Sequence, residues 1–470
     1  MYIATKKRRI KPLFVLCVGL LCFALGIGSG FILFHKKIDQ STLNNRTLVQ
    51  LYNTMSNQFY DTTNKKSSLL ERLSKGLVRG AGDPHTSYMT KSEFDAFQEN
   101  VDGDYDGIGI DYLTNKQGAI VTTVYPDTPA NKGKLLPGDL IIEVAGISMK
   151  NKTASQIGKA IRGEKGTEVS LTILRKGKRV LLHIQRSSLD SSLYYGIKED
   201  HGHRYGYIDI NTFGTTTSSL FEKAIISFKK NKVKSLIIDL RDNGGGYVNA
   251  AEECLSMLNK QGTTLYMTKS KKGKITKIKD MTNDCYKFDQ GFVLVNNMSA
   301  SASEIMTSSL MQNNHYTVIG DKTYGKGTIQ VEMPLANGGV LKYTYAKWLT
   351  PQGTSINNKG IIPDVMVEDA PLLSLQLEKL PATYHYDQLN DYIKTMEIML
   401  NALGYKTDHC DGYFSHSTQK ALKAFQKNEH IKESGHYDEE SYYHLLSAYV
   451  NAVGTKSYDP IYKKALAMLK

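Results

Sequence analysis

The chain has 470 residues, enough for about three domains of ordinary size. Its composition, 41% apolar and 22% charged, excludes a disordered chain. Fifty-nine basic against 46 acidic residues give a formal charge of +13. Such a balance suits nucleic acid, yet no basic patch interleaved with aromatics and no nucleic-acid motif accompanies it. The anionic membrane and wall polymers outside a bacterial cell account for it more simply.

Residues 1–12 form a basic segment with five positive charges between Lys6 and Lys11. Residues 13–34 carry no charge, and as a helix they span about 33 Å, enough to cross a bilayer. The charge asymmetry predicts a single-pass anchor with its N-terminus in the cytoplasm and the rest of the chain outside the cell membrane. No clear Ala-x-Ala site follows, which favours an anchor over a cleaved signal. Cys254, Cys285 and Cys410 lie beyond the anchor with no metal-ligand spacing. Residues 44–100 read as helices, with Leu48, Leu51, Tyr52, Met55 and Phe59 at helical spacing.

From Gly103 to Ser188 the chain resembles a PDZ domain. Gly107-Ile108-Gly109-Ile110 is similar to a carboxylate-binding loop, and Thr128 to Gly146, with its Pro-Gly-Asp at 137–139, is similar to the most recognisable PDZ stretch. A loop of backbone N–H groups captures a free C-terminal carboxylate, and the neighbouring sheet edge accepts the peptide as an added strand. Arg162 ends the helix that follows Ser155. It reads as a helix C-terminal cation.

The next stretch alternates strand and helix: Tyr205–Ile210, then Ser218–Lys230, then Ser235 into the glycine-rich turn Arg241-Asp242-Asn243-Gly244-Gly245-Gly246. Apolar strands in this order predict a largely parallel sheet. Phe292–Val295 is another buried strand. It runs into Ser299-Ala-Ser-Ala-Ser303 and a helix from Glu304, which sets small hydroxyl residues on a strand-to-helix turn where backbone N–H groups favour an oxyanion. Lys326 follows between Gly325 and Gly327. A serine needs a base, and a lysine serves when burial lowers its pKa.

Together, Ser299–Ile305 and Tyr324–Gln330 resemble the C-terminal processing peptidases, serine endopeptidases of family S41 with a Ser-Lys dyad. The resemblance extends to the Asp83-Pro-His-Thr-Ser-Tyr turn and to Leu341–Val365, and covers about residues 45 to 368. It implies Ser301 as nucleophile, Lys326 as base, Gln330 as the lysine-orienting residue, and an oxyanion hole from the N–H groups of Ala302 and Gly245, with Gly244 close behind. Asp242 and Gly244 depart from the family pattern in that turn. The resemblance further implies an α/β protease core at 189–368, crotonase-like with a mixed, largely parallel sheet, carrying the PDZ domain at 103–188 as a β-rich insert. It implies no cofactor and no metal, protein substrates recruited by a free C-terminus, a regulatory role for Arg162, and a homodimer built in part by the N-terminal helices. His85 is set aside as structural, and Asp239 and Asp242 are given no catalytic role.

Residues 369–385 read as a linker. From 386 to 450, Asp411-Gly-Tyr-Phe leads into a helix capped by Ser415 or Ser417, with Ala421, Leu422 and Phe425 inward. This part resembles an all-α, three-helix peptidoglycan-binding module, and 451–470 is left as a tail. Two rivals remain: an inactive PDZ and wall-binding scaffold, and a Ser-His hydrolase. The second is weakened because no histidine lies between His203 and His315.

Overall fold

A computed structural model describes residues 45–59, 68–282, 285–370 and 377–469. The expected anchor at 13–34 lies outside them, and no described helix is long and apolar enough to cross a membrane. The chain divides into two units, residues 1–76 and 77–470. In the first, the helix Asn45–Asn57 leaves Leu48, Leu51, Tyr52 and Met55 exposed.

The second unit is centred on a six-stranded sheet. Its order is Leu193–Asp200, His203–Ile210, Ser235–Asp239, Gln290–Val295, Thr317–Gly320 and Val365–Met366. The first pair is antiparallel and the rest run parallel. Alternation along the strands divides the apolar side chains between two faces. Leu236, Ile238, Val293 and Val295 pack under the helices Thr217–Lys230, Val248–Ser256 and Ala302–Asn313. Ile237, Phe292 and Leu294 meet Ile461, Tyr462 and Ala465 on the opposite face. The expected tail is therefore a helix, Pro460–Met468, that covers the open side of this sheet. The preceding helix, Glu439–Gly454, runs past the predicted limit at 450.

A second, antiparallel sheet joins Ser87–Met89, Thr264–Ser270, Ile275–Lys279, Thr328–Pro334 and Val340–Leu349. Tyr88 pairs with Leu341, which carries the Asp83–Thr86 turn to the sheet whose next strand begins just after Lys326.

The PDZ sheet runs Ile110–Thr114, Ala119–Val124, Leu140–Val144, Glu168–Arg175, Lys178–Gln185, with the helix Ala154–Ile161 packed on it. A two-stranded ribbon, Asp104–Gly107 with Ser187–Asp190, flanks it. The helices Asp391–Ala402, His416–Asn428 and Glu439–Gly454 form their own core, which also takes in Ile120 and Leu140 of the PDZ sheet. Gln117 donates to Tyr443 Oη at 2.7 Å, and Lys176 meets Glu429 at 2.7 Å. The expected linker is anchored at both ends: Asp369 accepts from Arg241, and Leu377 and Leu380 are buried in the helical core. Ser415, not Ser417, caps the His416–Asn428 helix by accepting from Thr418 N.

Candidate active site

Both the 240–246 turn and the Ser299–Ser303 run leave the C-terminal ends of adjacent parallel strands, the position at which open α/β sheets form sites. Ser301 opens the helix Ala302–Asn313 with φ +58° and ψ −115°. A non-glycine residue holds such a backbone only where its surroundings impose it, and a strand-to-helix elbow of this kind pushes a nucleophilic side chain out of the turn. The three serines divide the work. Ser299 Oγ donates to Leu240 O at 2.7 Å and Ser303 Oγ to Asn243 O at 2.9 Å, both with no exposure. Ser301 keeps 8% exposure, and among the described residues its hydroxyl donates to none. The helix is buried all round over its first nine residues, so no apolar stripe marks its start, which lies at Ala302 rather than the expected Glu304.

Glu304 holds this elbow. Its carboxylate accepts from Ser301 N at 2.9 Å, Lys326 N at 2.9 Å, Gly325 N at 2.8 Å and Thr323 Oγ1 at 2.6 Å. One buried side chain thus fixes the backbone on both sides of the candidate dyad. Burial pushes its pKa up, and the four hydrogen bonds pull the other way. Sequence reasoning missed this residue, although Ser301-x-x-Glu304 is a capping-box spacing.

The Lys326 loop is also tied down by Trp348, whose indole Nε1 donates to Lys326 O at 2.8 Å. A Cβ on Gly325 would sit 2.7 Å from Gly360 N, and one on Gly327 would sit 2.6 Å from Asn357 Cβ. The flanking glycines therefore let the loop lie against residues 357–360. The Lys326 side chain is half-buried. Burial lowers its pKa, nearby Lys342 lowers it further, and Glu304 and Asp83 oppose both. Among the described residues, no hydrogen bond joins Lys326 Nζ to Ser301. Gln330 does not hold Lys326 either; its amide donates to Thr328 Oγ1 at 2.9 Å and Thr344 Oγ1 at 3.1 Å. His85 lies close enough for Lys326 to lower its pKa, after burial.

The glycine-rich turn is clasped to the elbow. Asn243 O accepts from Ala300 N at 3.0 Å, while Asn243 Nδ2 donates to Ile210 O at 2.6 Å. Gly245, at φ +107°, lies so close that a Cβ there would come within 2.8 Å of Ser301 Cβ and 3.1 Å of Ala302 N. Its N–H, however, donates to Asn243 Oδ1 at 2.8 Å, so in this conformation it has no donor to offer an oxyanion. The N–H groups of Gly244 and Ala302 donate to none of the described residues.

In the PDZ loop, Ile108 and Ile110 are buried and Gly109 adopts φ +84° against Thr128. Ile108 O accepts from Ala130 N and Gly109 O from Tyr125 N. Among the described residues, the N–H groups of Ile108 and Gly109 have no acceptor, as a carboxylate cradle requires. Arg162 caps the Ala154–Ile161 helix and lies 4.7 Å over the Tyr105 ring in the flanking ribbon. Asp239 is buried at its strand end, and Asp242 is exposed with φ +59° in the turn. Cys254, Cys285 and Cys410 are unpaired.

Comparison with known proteins agrees with this layout. The model of peptidase family S41 matches residues 204–367, a PDZ domain model matches 120–175, and a peptidoglycan binding domain model matches 390–445. A Staphylococcus aureus protein named "Probable CtpA-like serine protease" is 34% identical over 413 residues, 86% of this chain and 81% of its own. A Staphylococcus epidermidis protein of the same name is 32% identical over 436 residues, covering 91% and 87%. Among solved structures, the photosystem II D1 C-terminal processing protease aligns with 69% of this chain and 88% of its own at 24% identity and a TM-score of 0.43. On the strength of the sequence relatives, this chain belongs to peptidase family S41, with the CtpA-like serine proteases, and is a serine-type peptidase.

Proposed function

We propose that the protein is a membrane-anchored endopeptidase of the C-terminal processing type, acting outside the cell with a Ser301–Lys326 dyad. The observation that carries this is the Ser301 elbow: the single serine of its cluster with a hydroxyl left undonated, on a strained backbone beside Gly245. Ser301 Oγ attacks the scissile carbonyl carbon while neutral Lys326 takes its proton. The C–N bond then breaks, Lys326 returns that proton to the leaving amine, and water hydrolyses the acyl ester by the same route. Lys326 reaches Ser301 by a side-chain rotation, with Gln330 turning from Thr328 to hold it. Ala302 and Gly244 donate to the oxyanion in the present conformation; Gly245 joins only if Asn243 releases its N–H.

The PDZ loop 107–110 receives a substrate's C-terminal carboxylate, and Arg162 on Tyr105 transmits PDZ position through the ribbon. The core is crotonase-like, and the helices between 386 and 454 form a module that binds peptidoglycan. The exposed apolar face of Asn45–Asn57 supports a homodimer.

The test is cleavage of an unfolded protein and of a peptide with a free C-terminus. Ser301→Ala and Lys326→Ala run alongside. A wild-type chain that cuts neither substrate favours the scaffold reading; full rate in Lys326→Ala removes the dyad. Alkaline extraction of membranes tests the anchor, which fails if the chain is released.

A further inference from the structure

The glycine-rich turn beside Ser301 is anchored by the far end of the chain. Arg241, the first residue of that turn after Leu240, has a guanidinium gripped from two sides. Its Nε and Nη2 donate to Asp239 at 2.9 and 2.7 Å, and its Nη1 and Nη2 donate to Asp459 at 2.9 and 2.7 Å. Asp459 is 3% exposed and caps the last helix by accepting from Tyr462 N at 2.8 Å. Lys456 completes the clasp, donating to Asp239 Oδ2 at 2.9 Å, with Asp209 at 3.8 Å. Tyr207 Oη donates to the same Asp239 oxygen at 2.7 Å, and Tyr205 and Tyr462 join hydroxyls at 2.6 Å.

Paired forks of this type set orientation as well as charge, because the planar guanidinium admits one geometry for both carboxylates. That orientation is handed on to the rest of the turn. Asp242 N donates to Asn296 Oδ1 at 3.0 Å, and Asn296 Nδ2 donates back to Asp242 and to Asp369. Asn243 then ties the turn to Ala300 and Ser303. A path of hydrogen bonds, joined by the backbone of residues 241–243, therefore runs from Asp459 through Arg241 and the turn to the Ser301 elbow, most of it buried or half-buried.

We propose that Asp459 and Lys456 are positioning residues for catalysis. The segment after the peptidoglycan-binding-like module is a strap that holds the oxyanion turn in register with Ser301, and the peptidase is incomplete without it. The inference on rate rests on the protease reading; the inference on turn geometry does not.

The test uses the full chain carrying Asp459→Asn, which keeps volume and removes the charge. Hydrogen exchange is read at the amides of residues 241–246 and, as an internal control, at the PDZ strands 168–185. Exchange in the turn rises about tenfold or more while the PDZ strands stay unchanged. In the same variant kcat falls about tenfold or more with KM within about twofold, the split expected when only transition-state contacts loosen. Unchanged exchange at 241–246 overturns the strap, and loosened exchange with wild-type kcat overturns the positioning role in catalysis. Should the Asn variant not fold, Asp459→Glu, which keeps the charge and displaces the fork by one methylene, is read the same way. A wild-type chain without peptidase activity sinks the protease reading instead, and the exchange result then decides the strap by itself.

Discussion

The two halves of the candidate dyad are prepared to different degrees. On the serine side everything near the reacting atom is fixed: the backbone by Glu304, the neighbouring hydroxyls by Leu240 and Asn243, the facing turn by Asn243 and Arg241. On the lysine side only the backbone is fixed, by the same Glu304 and by Trp348. The Lys326 amine makes no hydrogen bond among the described residues, and Gln330 is occupied by two threonines. The difference teaches that the site separates a hydrogen-bonded backbone frame from a side chain that this frame leaves unbonded. Preorganised backbone dipoles give the larger electrostatic benefit, whereas the Lys326 amine is held by no hydrogen bond among the described residues.

Breaking either half outright has the largest effect. Ser301→Ala and Lys326→Ala each lower kcat by about 10⁴-fold or more, as for residues that act as a unit. Each leaves the melting temperature near wild type, and steady-state cleavage beside a thermal melt checks both.

Removing what the halves share comes next. Glu304→Ala strands three backbone N–H groups and one hydroxyl in a buried site, at about 1–3 kcal/mol for each group left unsatisfied. The melting temperature and kcat fall together. Loss of activity without loss of stability contradicts a clamp of both loops.

A change confined to the lysine half is smaller. Gln330→Ala lowers kcat about tenfold if the amide turns to orient Lys326, and leaves stability unaltered. An unaltered rate means that Gln330 serves its threonines alone.

The mildest change sharpens the comparison by pH. Lys326, the proposed base, acts as the free amine, and its pKa is below the ordinary lysine value, so kcat/KM is expected to rise with pH through that lowered pKa. Lys342 is the second of the two lowering causes. Lys342→Met therefore moves the rising limb to higher pH and slows cleavage near neutrality, with little change at the alkaline plateau. A limb that moves to lower pH, or stays in place, excludes Lys326 as the titrating base.

Acid separates the strap from the dyad. Burial alone would raise the Asp239 pKa, but Arg241 and Lys456 outweigh it and hold the carboxyl well below the usual range. Its stabilising contribution is present above the unfolded carboxyl pKa and is lost as pH falls toward the folded one. Lys456→Met removes part of that lowering, so acid unfolding, tracked by circular dichroism, begins at higher pH than in wild type.

Much of the site lies in short windows of sequence. Ser301 and Lys326 stand in local motifs, and the PDZ loop and the helical module each announce themselves by turn chemistry. The order of apolar strands indicates the parallel sheet. Glu304 was also open to reading, since its spacing from Ser301 is a capping signature, but nothing local shows that the same carboxylate reaches Gly325 and Lys326. Nothing local to Gly245 shows that Asn243, two residues away, folds back to accept its N–H.

The sequence by itself determined the family, the order of the domains, and which serine and lysine to test, because each rests on residues close together in the chain. Only the tertiary structure decided that the helix Pro460–Met468 packs on the six-stranded sheet and that the wall-binding-like helices share a core with the PDZ sheet. The reason is physical. Asp459 and Arg241 are separated by 218 positions, and an isolated acid and an isolated base carry no pattern. Their pairing exists only once Ile461, Tyr462 and Ala465 have been buried on the open face of the sheet.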